Sequence, residues 1–103
     1  MFARVARYEV EEHRMDEAVE AFREAASQLS GEEGLEGGYI LTDAEGNSVI
    51  SLTFWGTRAA MDASEAHAAR LRREAAQKVD GAVTSVQYLD VAVEIAAAAP
   101  GRG

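Results

Sequence analysis

The strongest constraint on the fold is the order of the predicted strands and helices, which follows from how the spacing of apolar residues changes along the chain. Residues 2–10 are rich in β-forming side chains, and from Met15 the apolar residues recur every three or four positions, as on one face of a helix. Two further strands, a second helix and a last strand follow, at residues 35–42, 48–55, 58–79 and 82–95. The predicted order is therefore strand, helix, strand, strand, helix, strand.

This order is typical of a ferredoxin-like βαββαβ sandwich, an α+β fold with both helices on one face of a four-stranded antiparallel sheet. Side chains of the third predicted strand alternate between the two faces of the sheet. We expect the helices to cover the face with Ile50, Leu52 and Phe54, which leaves Val49, Thr53 and Trp55 on the other. An exposed half-apolar sheet face is uncommon on a soluble monomer, so a homodimer with two-fold symmetry is predicted.

The length of 103 residues predicts a single domain over residues 1–95, and residues 96–103 should form a flexible tail because they have nothing to bury. The absence of cysteine excludes a disulfide framework, thiol catalysis and a Cys-ligated metal. The net charge of −8 argues against a nucleic-acid partner and an anionic membrane surface. With no membrane-length apolar run and no apolar leader, we expect the protein in the cytoplasm.

Three short segments resemble the antibiotic biosynthesis monooxygenase (ABM) domain family. They are Leu52-Thr53-Phe54-Trp55 running into a helix at Arg58-Ala59-Ala60-Met61, Gly34-Leu35-Glu36-Gly37-Gly38-Tyr39, and Val5-Ala6-Arg7-Tyr8. The resemblance covers about residues 2–95. It implies a dimeric α+β barrel, in which the sheet of each subunit closes on the other. It also implies one of three roles, since the family includes cofactor-independent monooxygenases, haem-degrading enzymes and proteins without an assigned reaction.

Among these reactions, cofactor-independent oxidation requires the fewest specialised side chains from the protein. An acidic aromatic substrate can pass an electron to O₂ by itself, if a pocket excludes water and donates hydrogen bonds to its anion. We therefore predict a monooxygenase without a cofactor, acting on a small aromatic or quinone-forming molecule in a pocket between helices and sheet. The alternative is a non-catalytic ligand-binding or regulatory barrel. Haem degradation is disfavoured, because the helix positions that the resemblance assigns to Trp and His fall near Ser64 and Glu74, and the only asparagine is Asn47.

Three residues are candidates for catalysis under this hypothesis. Trp55 would be a stacking wall, Tyr39 a hydrogen-bond donor to the developing anion, and His67 a possible base. Each also has a structural alternative: Trp55 could pack in the core or at a dimer interface, Tyr39 could be a structural residue of the sheet, and His67 could be a solvated helix-edge residue.

The candidate substrate-binding residues are Arg7, Tyr88, Ser64 and Phe54. An arginine of the first strand could stabilise an oxyanion. Because Arg4 and Arg7 lie on opposite faces of that strand, only one of them can point into a cavity.

Overall fold

A computed structural model describes residues 1–43 and 45–98 and confirms the predicted α+β, ferredoxin-like class. The elements are β1 Phe2–Glu9, α1 Met15–Leu29, β2 Leu35–Asp43, β3 Ser48–Trp55, α2 Arg58–Ala63, α3 Glu65–Lys78 and β4 Ala82–Asp90. The strands form one antiparallel sheet in the order β2-β3-β1-β4. The helices pack on one face of this sheet, and α1 lies against α3.

The second predicted helix is interrupted at Ser64, where one continuous helix over residues 58–79 was expected. The hydroxyl of Thr57 caps the start of α2 by accepting from the backbone N–H of Ala60 at 3.1 Å. The Ser64 hydroxyl donates to the Met61 carbonyl at 2.8 Å, and such local side-chain bonds compete with the regular helical ladder. Ser64 therefore closes one helix and opens the next.

The last strand is shorter than predicted and ends at Asp90 instead of Ile95. Asp90 is opposite Phe2, the first residue of β1, and the backbone N–H of Val91 makes one further bond to the Met1 carbonyl at 3.0 Å. The end of β4 therefore coincides with the start of β1, the strand with which it pairs. Residues 91–98 have no regular secondary structure, whereas residues 99–103 of the predicted tail, like Ala44 of the predicted turn, lie outside the described residues.

The assignment of the two sheet faces was wrong: the helices cover the face with Val49 and Trp55. Both side chains are completely buried. Their partners in β1 lie on the same face, and Tyr8, opposite Val49, is also buried. The face with Ile50, Leu52 and Phe54 is the one that the helices leave open. Alternation separates the two faces but does not say which of them packs against the helices.

The core between the sheet and the helices consists of two clusters. One surrounds Tyr8 and Phe22, whose ring centroids are 4.3 Å apart, and the other surrounds Trp55 and Met61. Within residues 1–43 and 45–98, none of the helices is long and apolar enough to cross a bilayer.

Candidate functional site

A small, partly open cavity lies between the helix layer and the sheet. Its volume is about 60 Å³. The helix side is mostly apolar, whereas the sheet side carries hydroxyl and guanidinium groups. The lining residues on the helix side include Phe22, Ala25, Leu29, Ala68, Leu71 and Arg72; those on the sheet side are Arg4, Tyr8, Ile40, Ser51 and Thr53. One apolar wall facing one polar wall is the arrangement expected of a small-molecule site.

Arg4 is the charged residue at the centre of this arrangement. Its side chain comes from the inner face of β1 and is only 3 % exposed. Nη1 donates to the Met61 carbonyl at 3.2 Å and to the Ser64 hydroxyl at 3.1 Å. It also forms an ion pair with Glu65 Oε1 at 3.1 Å. Burial lowers the pKa of Arg4, and the carboxylate of Glu65 acts in the opposite direction.

Glu65 joins Arg4 to a second arginine of the cavity wall. Its other oxygen, Oε2, accepts from Arg72 Nη2 at 2.7 Å. Tyr88, opposite Arg4 in the β1–β4 pair, lies next to this group. Burial and then the neighbouring Glu65 carboxylate raise the pKa of Tyr88, so its phenol is held in the neutral, hydrogen-bonding form.

The sheet side of the cavity presents hydroxyl groups in fixed positions. The Tyr8 and Ser51 hydroxyls share a hydrogen bond of 3.1 Å, and burial raises the pKa of Tyr8. The indole N–H of Trp55 donates to Thr53 Oγ1 at 2.9 Å, which leaves the Thr53 hydroxyl hydrogen free to point elsewhere. Neutral hydroxyls and a guanidinium can together bind an anionic oxygen.

Three of the predicted site residues lie around Arg4. The Arg4 guanidinium stacks over the Trp55 ring, 5.1 Å from its centroid, while Ser64 and Tyr88 contact or adjoin it from the helix layer and from β4. Trp55 and Ser64 are fully or almost fully buried and hold Arg4 from outside the cavity lining. Their position makes them supports for the guanidinium.

The other predicted residues lie elsewhere. Arg7, Tyr39 and Phe54 belong to the open face of the sheet, where Tyr39 is 64 % exposed. His67 is on α3, and its Nδ1 is 2.6 Å from Glu32 Oε1, a hydrogen bond between the helix and the loop before β2. None of these four lines the cavity.

Sequence reasoning missed several groups that line or complete the site. Neither Glu65 and Arg72 of α3 nor Tyr8 of β1 is among the predicted site residues. Arg4 was named only as an alternative to Arg7. In the structure Arg4 alternates with Ala6 and Tyr8, which are both buried on the inner face, and this makes Arg4 the inward arginine.

The described lining of the cavity contains no histidine. In the part of the chain that the structure describes, no three His, Asp or Glu side chains converge as a metal site requires. His67 is held by Glu32 away from the cavity, so it is not placed to act as an axial ligand there.

Comparisons with known proteins identify one matching family and several similar solved structures. The family model described as antibiotic biosynthesis monooxygenase matches residues 1–79. A candidate antibiotic biosynthesis monooxygenase from Deinococcus radiodurans is similar in structure, with a TM-score of 0.77 at 11 % identity, covering 96 % of this chain and 100 % of that one. A comparison with curated protein sequences finds no match.

Two further solved structures are of proteins with a named activity or a bound ligand. SnoaB, a cofactor-independent oxygenase from Streptomyces nogalater, gives a TM-score of 0.73 at 14 % identity, over 91 % of this chain and 95 % of that one. A MhuD variant with two manganese protoporphyrin IX molecules per active site gives a TM-score of 0.73 at 18 % identity, over 94 % of this chain and 100 % of that one. At such low sequence identities, the structural similarity shows only that the fold is shared.

Proposed function

Since the chain belongs to the antibiotic biosynthesis monooxygenase family, we propose that it oxidises an aromatic or quinone-forming substrate with O₂ in the cavity between helices and sheet, without a cofactor. The observation that carries the proposal is the buried guanidinium of Arg4 in the polar wall, facing an apolar wall. A deprotonated aromatic needs both: a flat apolar surface for its rings and a positive group for its oxygen.

The reaction uses the acidity of the substrate. A CH₂ group conjugated with a carbonyl or phenol loses a proton, and the carbanion passes one electron to O₂. The resulting radicals combine to a peroxide, which loses water and leaves a carbonyl. In total CH₂ and O₂ become C=O and H₂O, so one oxygen atom enters the product and the other leaves as water.

The protein supports this chemistry by stabilising the substrate anion. Arg4 donates to the oxygen over which the negative charge is delocalised, and this lowers the pKa of the substrate. The Tyr8 and Thr53 hydroxyls are placed to add hydrogen bonds from the same wall. Trp55, behind the guanidinium, keeps Arg4 in place.

The size of the cavity sets a condition on binding. A volume of about 60 Å³ is small beside typical small-molecule sites of roughly 300–1,000 Å³. A substrate would therefore enter by displacing side chains of the lining, such as the half-buried Ile40 on the edge strand β2.

We also propose that the active form is a homodimer. The open face, defined by Val5, Tyr39, Leu41, Ile50, Leu52, Phe54 and Leu89, is mostly apolar and has no helix over it. A second copy of the sheet would cover this face, as the family's barrel architecture implies. Arg7, Tyr39 and Phe54 would then act at the subunit interface.

The proposal is tested by O₂ uptake with a dihydroxylated anthrone, whose CH₂ group is acidic and whose quinone product absorbs visible light. We expect uptake and quinone formation in equal amounts, and a loss of at least about tenfold in kcat/KM for Arg4→Lys, which keeps the charge but not the planar fork. The matched control is Arg70→Lys, at an exposed position of α3. Binding without O₂ uptake would instead identify a ligand-binding barrel, and a Soret band after addition of hemin would indicate haem binding.

A further inference from the structure

The turn between α3 and β4 contains Asp80-Gly81, and Asp80 is the only one of the five aspartates that is followed by glycine. In this sequence the backbone nitrogen of glycine can attack the aspartate carboxyl group, because glycine has no Cβ to hinder the approach. The Asp80 side chain is 81 % exposed, so water reaches the carboxyl group. The turn therefore contains both reacting groups of a ring closure that needs no enzyme.

The folded backbone keeps the attacking nitrogen occupied. Asp80 has a φ of +51°, in the left-handed region that commonly ends a helix. The Asp80 N–H donates to the Gln77 carbonyl at 3.3 Å, and the Gly81 N–H donates to the Ala76 carbonyl at 2.8 Å. Ring closure must first break the second of these bonds, so it requires a local opening of the turn.

Arg14 holds the other reacting group, the carboxylate of Asp80. Its Nη1 donates to Asp80 Oδ2 at 2.9 Å. The guanidinium is itself fixed, since Nη2 donates to Glu17 Oε2 at 3.1 Å and to the Lys78 carbonyl at 3.0 Å. Ring closure expels the hydroxyl of a protonated carboxyl group, whereas an ion pair restricts the rotation of a carboxylate and favours its charged form. The Arg14 contact therefore opposes the reaction.

We propose that Asp80-Gly81 is a site of spontaneous isoaspartate formation and that Arg14 slows this reaction in the folded protein. The Gly81 nitrogen bonds to Cγ of Asp80 while the C–O bond to the hydroxyl breaks, and the amide hydrogen and the hydroxyl leave as water. Water then opens the succinimide ring at one of its two carbonyls. Opening at Cγ restores aspartate, whereas opening at the main-chain carbonyl leaves the chain connected through Cγ, which is isoaspartate. One water is released and one is taken up, and nothing is oxidised or reduced.

The modified turn is one main-chain atom longer. Ala82, the first residue of β4, is opposite Glu9 of β1, and a Cβ at Gly81 would already lie 2.8 Å from the Glu9 carbonyl oxygen. With so little room beside β1, an additional CH₂ group displaces the start of β4. Isoaspartate at residue 80 therefore lowers the stability of the protein with age, independently of any reaction in the cavity.

Peptide mapping with electron-transfer fragmentation, which distinguishes isoaspartate from aspartate, tests the proposal after storage at mildly acidic pH. We expect isoaspartate at Asp80 before any at Asp62 or Asp90, because alanine and valine follow those two. The rate at Asp80 should be at least about tenfold higher in guanidinium chloride than in buffer, because the unfolded chain needs no local opening. Absence of isoaspartate at Asp80 in guanidinium chloride, or equal rates in both solutions, would overturn the proposal.

Arg14→Gln tests the protecting contact in the folded protein. We expect it to raise the rate at Asp80 about two- to fivefold, which is the effect expected from the loss of an exposed ion pair. Arg23→Gln is the matched control, since it removes a similar pair with Glu20, at 3.3 Å, within α1. An unchanged rate in Arg14→Gln, or an equal rise in Arg23→Gln, would contradict the role of Arg14.

Gly34→Ala separates the loss of this contact from a general loss of stability. Its added Cβ collides with Ala60 of α2, at the end of the sheet opposite to the α3–β4 turn. Because isomerisation proceeds by local opening of the turn, this variant should react at the rate of the unchanged protein. A rise in Gly34→Ala as large as in Arg14→Gln would show that global unfolding controls the reaction, and would refute protection by Arg14.

Discussion

At the scale of single residues, Arg4 determines the character of the cavity. A guanidinium taken out of water needs substitutes for its hydration, and here they are the Met61 carbonyl, Ser64, Glu65 and the face of Trp55. Although burial lowers the pKa of Arg4, an arginine side chain stays protonated in proteins. The wall of the cavity therefore contains a permanent positive charge.

Tyr8, in the same wall of the cavity, makes the free energy of unfolding depend on pH in the alkaline range. Burial raises the pKa of Tyr8, and its hydrogen bond with Ser51 acts in the opposite direction. Above about pH 10 the unfolded chain loses this phenolic proton while the folded chain keeps it, so the free energy of unfolding falls until the pH passes the higher folded pKa. The stabilisation that comes from the Tyr8 hydroxyl is therefore complete below about pH 10 and is lost as the pH rises through the folded pKa.

We therefore predict that Tyr8→Phe lowers the free energy of unfolding at neutral pH by about 1 kcal/mol, through the lost bond to Ser51. This deficit should shrink as the pH rises above about 10, because phenylalanine has no proton to lose. Urea unfolding of both proteins at a series of pH values measures the difference. A gap that stays constant into the alkaline range would contradict this origin.

The importance of Arg4 could be predicted from the sequence only in part. Alternation along β1 places Arg4 and Arg7 on opposite faces, and this holds in the structure. Which of them is buried depends on Ser64 and Glu65, about sixty residues later in the chain. No local pattern reveals partners at that distance, so Glu65 is not predictable as a partner of Arg4.

At the scale of elements, the junction of β2 with α2 depends on one glycine. Gly34 has a φ of +87°, and its carbonyl accepts from the Gly56 N–H at 2.9 Å, which ties the start of β2 to the end of β3. A Cβ at this position would collide with the Cβ of Ala60 in α2. Both the backbone conformation and the close approach of the helix therefore require glycine here.

Gly34→Ala should lower the free energy of unfolding by about 2 kcal/mol or more, from the strained φ and the collision with Ala60. Gly31→Ala is the matched control in the same loop: nothing lies within 4 Å of its added Cβ, so we expect a change within about 0.5 kcal/mol. Denaturant midpoints of the two variants measure the difference. Similar losses in both would show that the loop tolerates a Cβ at Gly34.

The strand β3 shows why element order is easier to predict than element orientation. Both of its faces carry large apolar side chains, since Val49 and Trp55 stand on one and Leu52 and Phe54 on the other. The inner face is the one that also has Ser51 and Thr53, whose hydroxyls are satisfied by Tyr8 and Trp55. Counting apolar residues favours the wrong face, because the cavity brings polar groups into the interior.

The whole molecule has one covered sheet face and one open one. The helices bury the inner face, whereas the open face leaves Leu41 and Leu89 each 43 % exposed, with Tyr39 more exposed still. A contiguous apolar surface of this kind marks an interaction site. The acidic residues Glu17, Glu20 and Glu24 lie on α1, away from the open face, so these carboxylates do not oppose the pairing of two sheets.

The homodimer therefore predicts a specific disruption. Leu41→Glu places a charge on the open face, on the edge strand β2, where burial against a second sheet would be strongly unfavourable. Because Leu41 is outside the core of the single chain, the variant should stay folded but sediment as a monomer, while the unchanged protein sediments as a dimer. Gln77→Glu adds the same charge at an exposed position of α3 and should leave the dimer intact. Analytical ultracentrifugation with far-UV circular dichroism separates the outcomes, and a dimer that survives Leu41→Glu would mean that this face is not the interface.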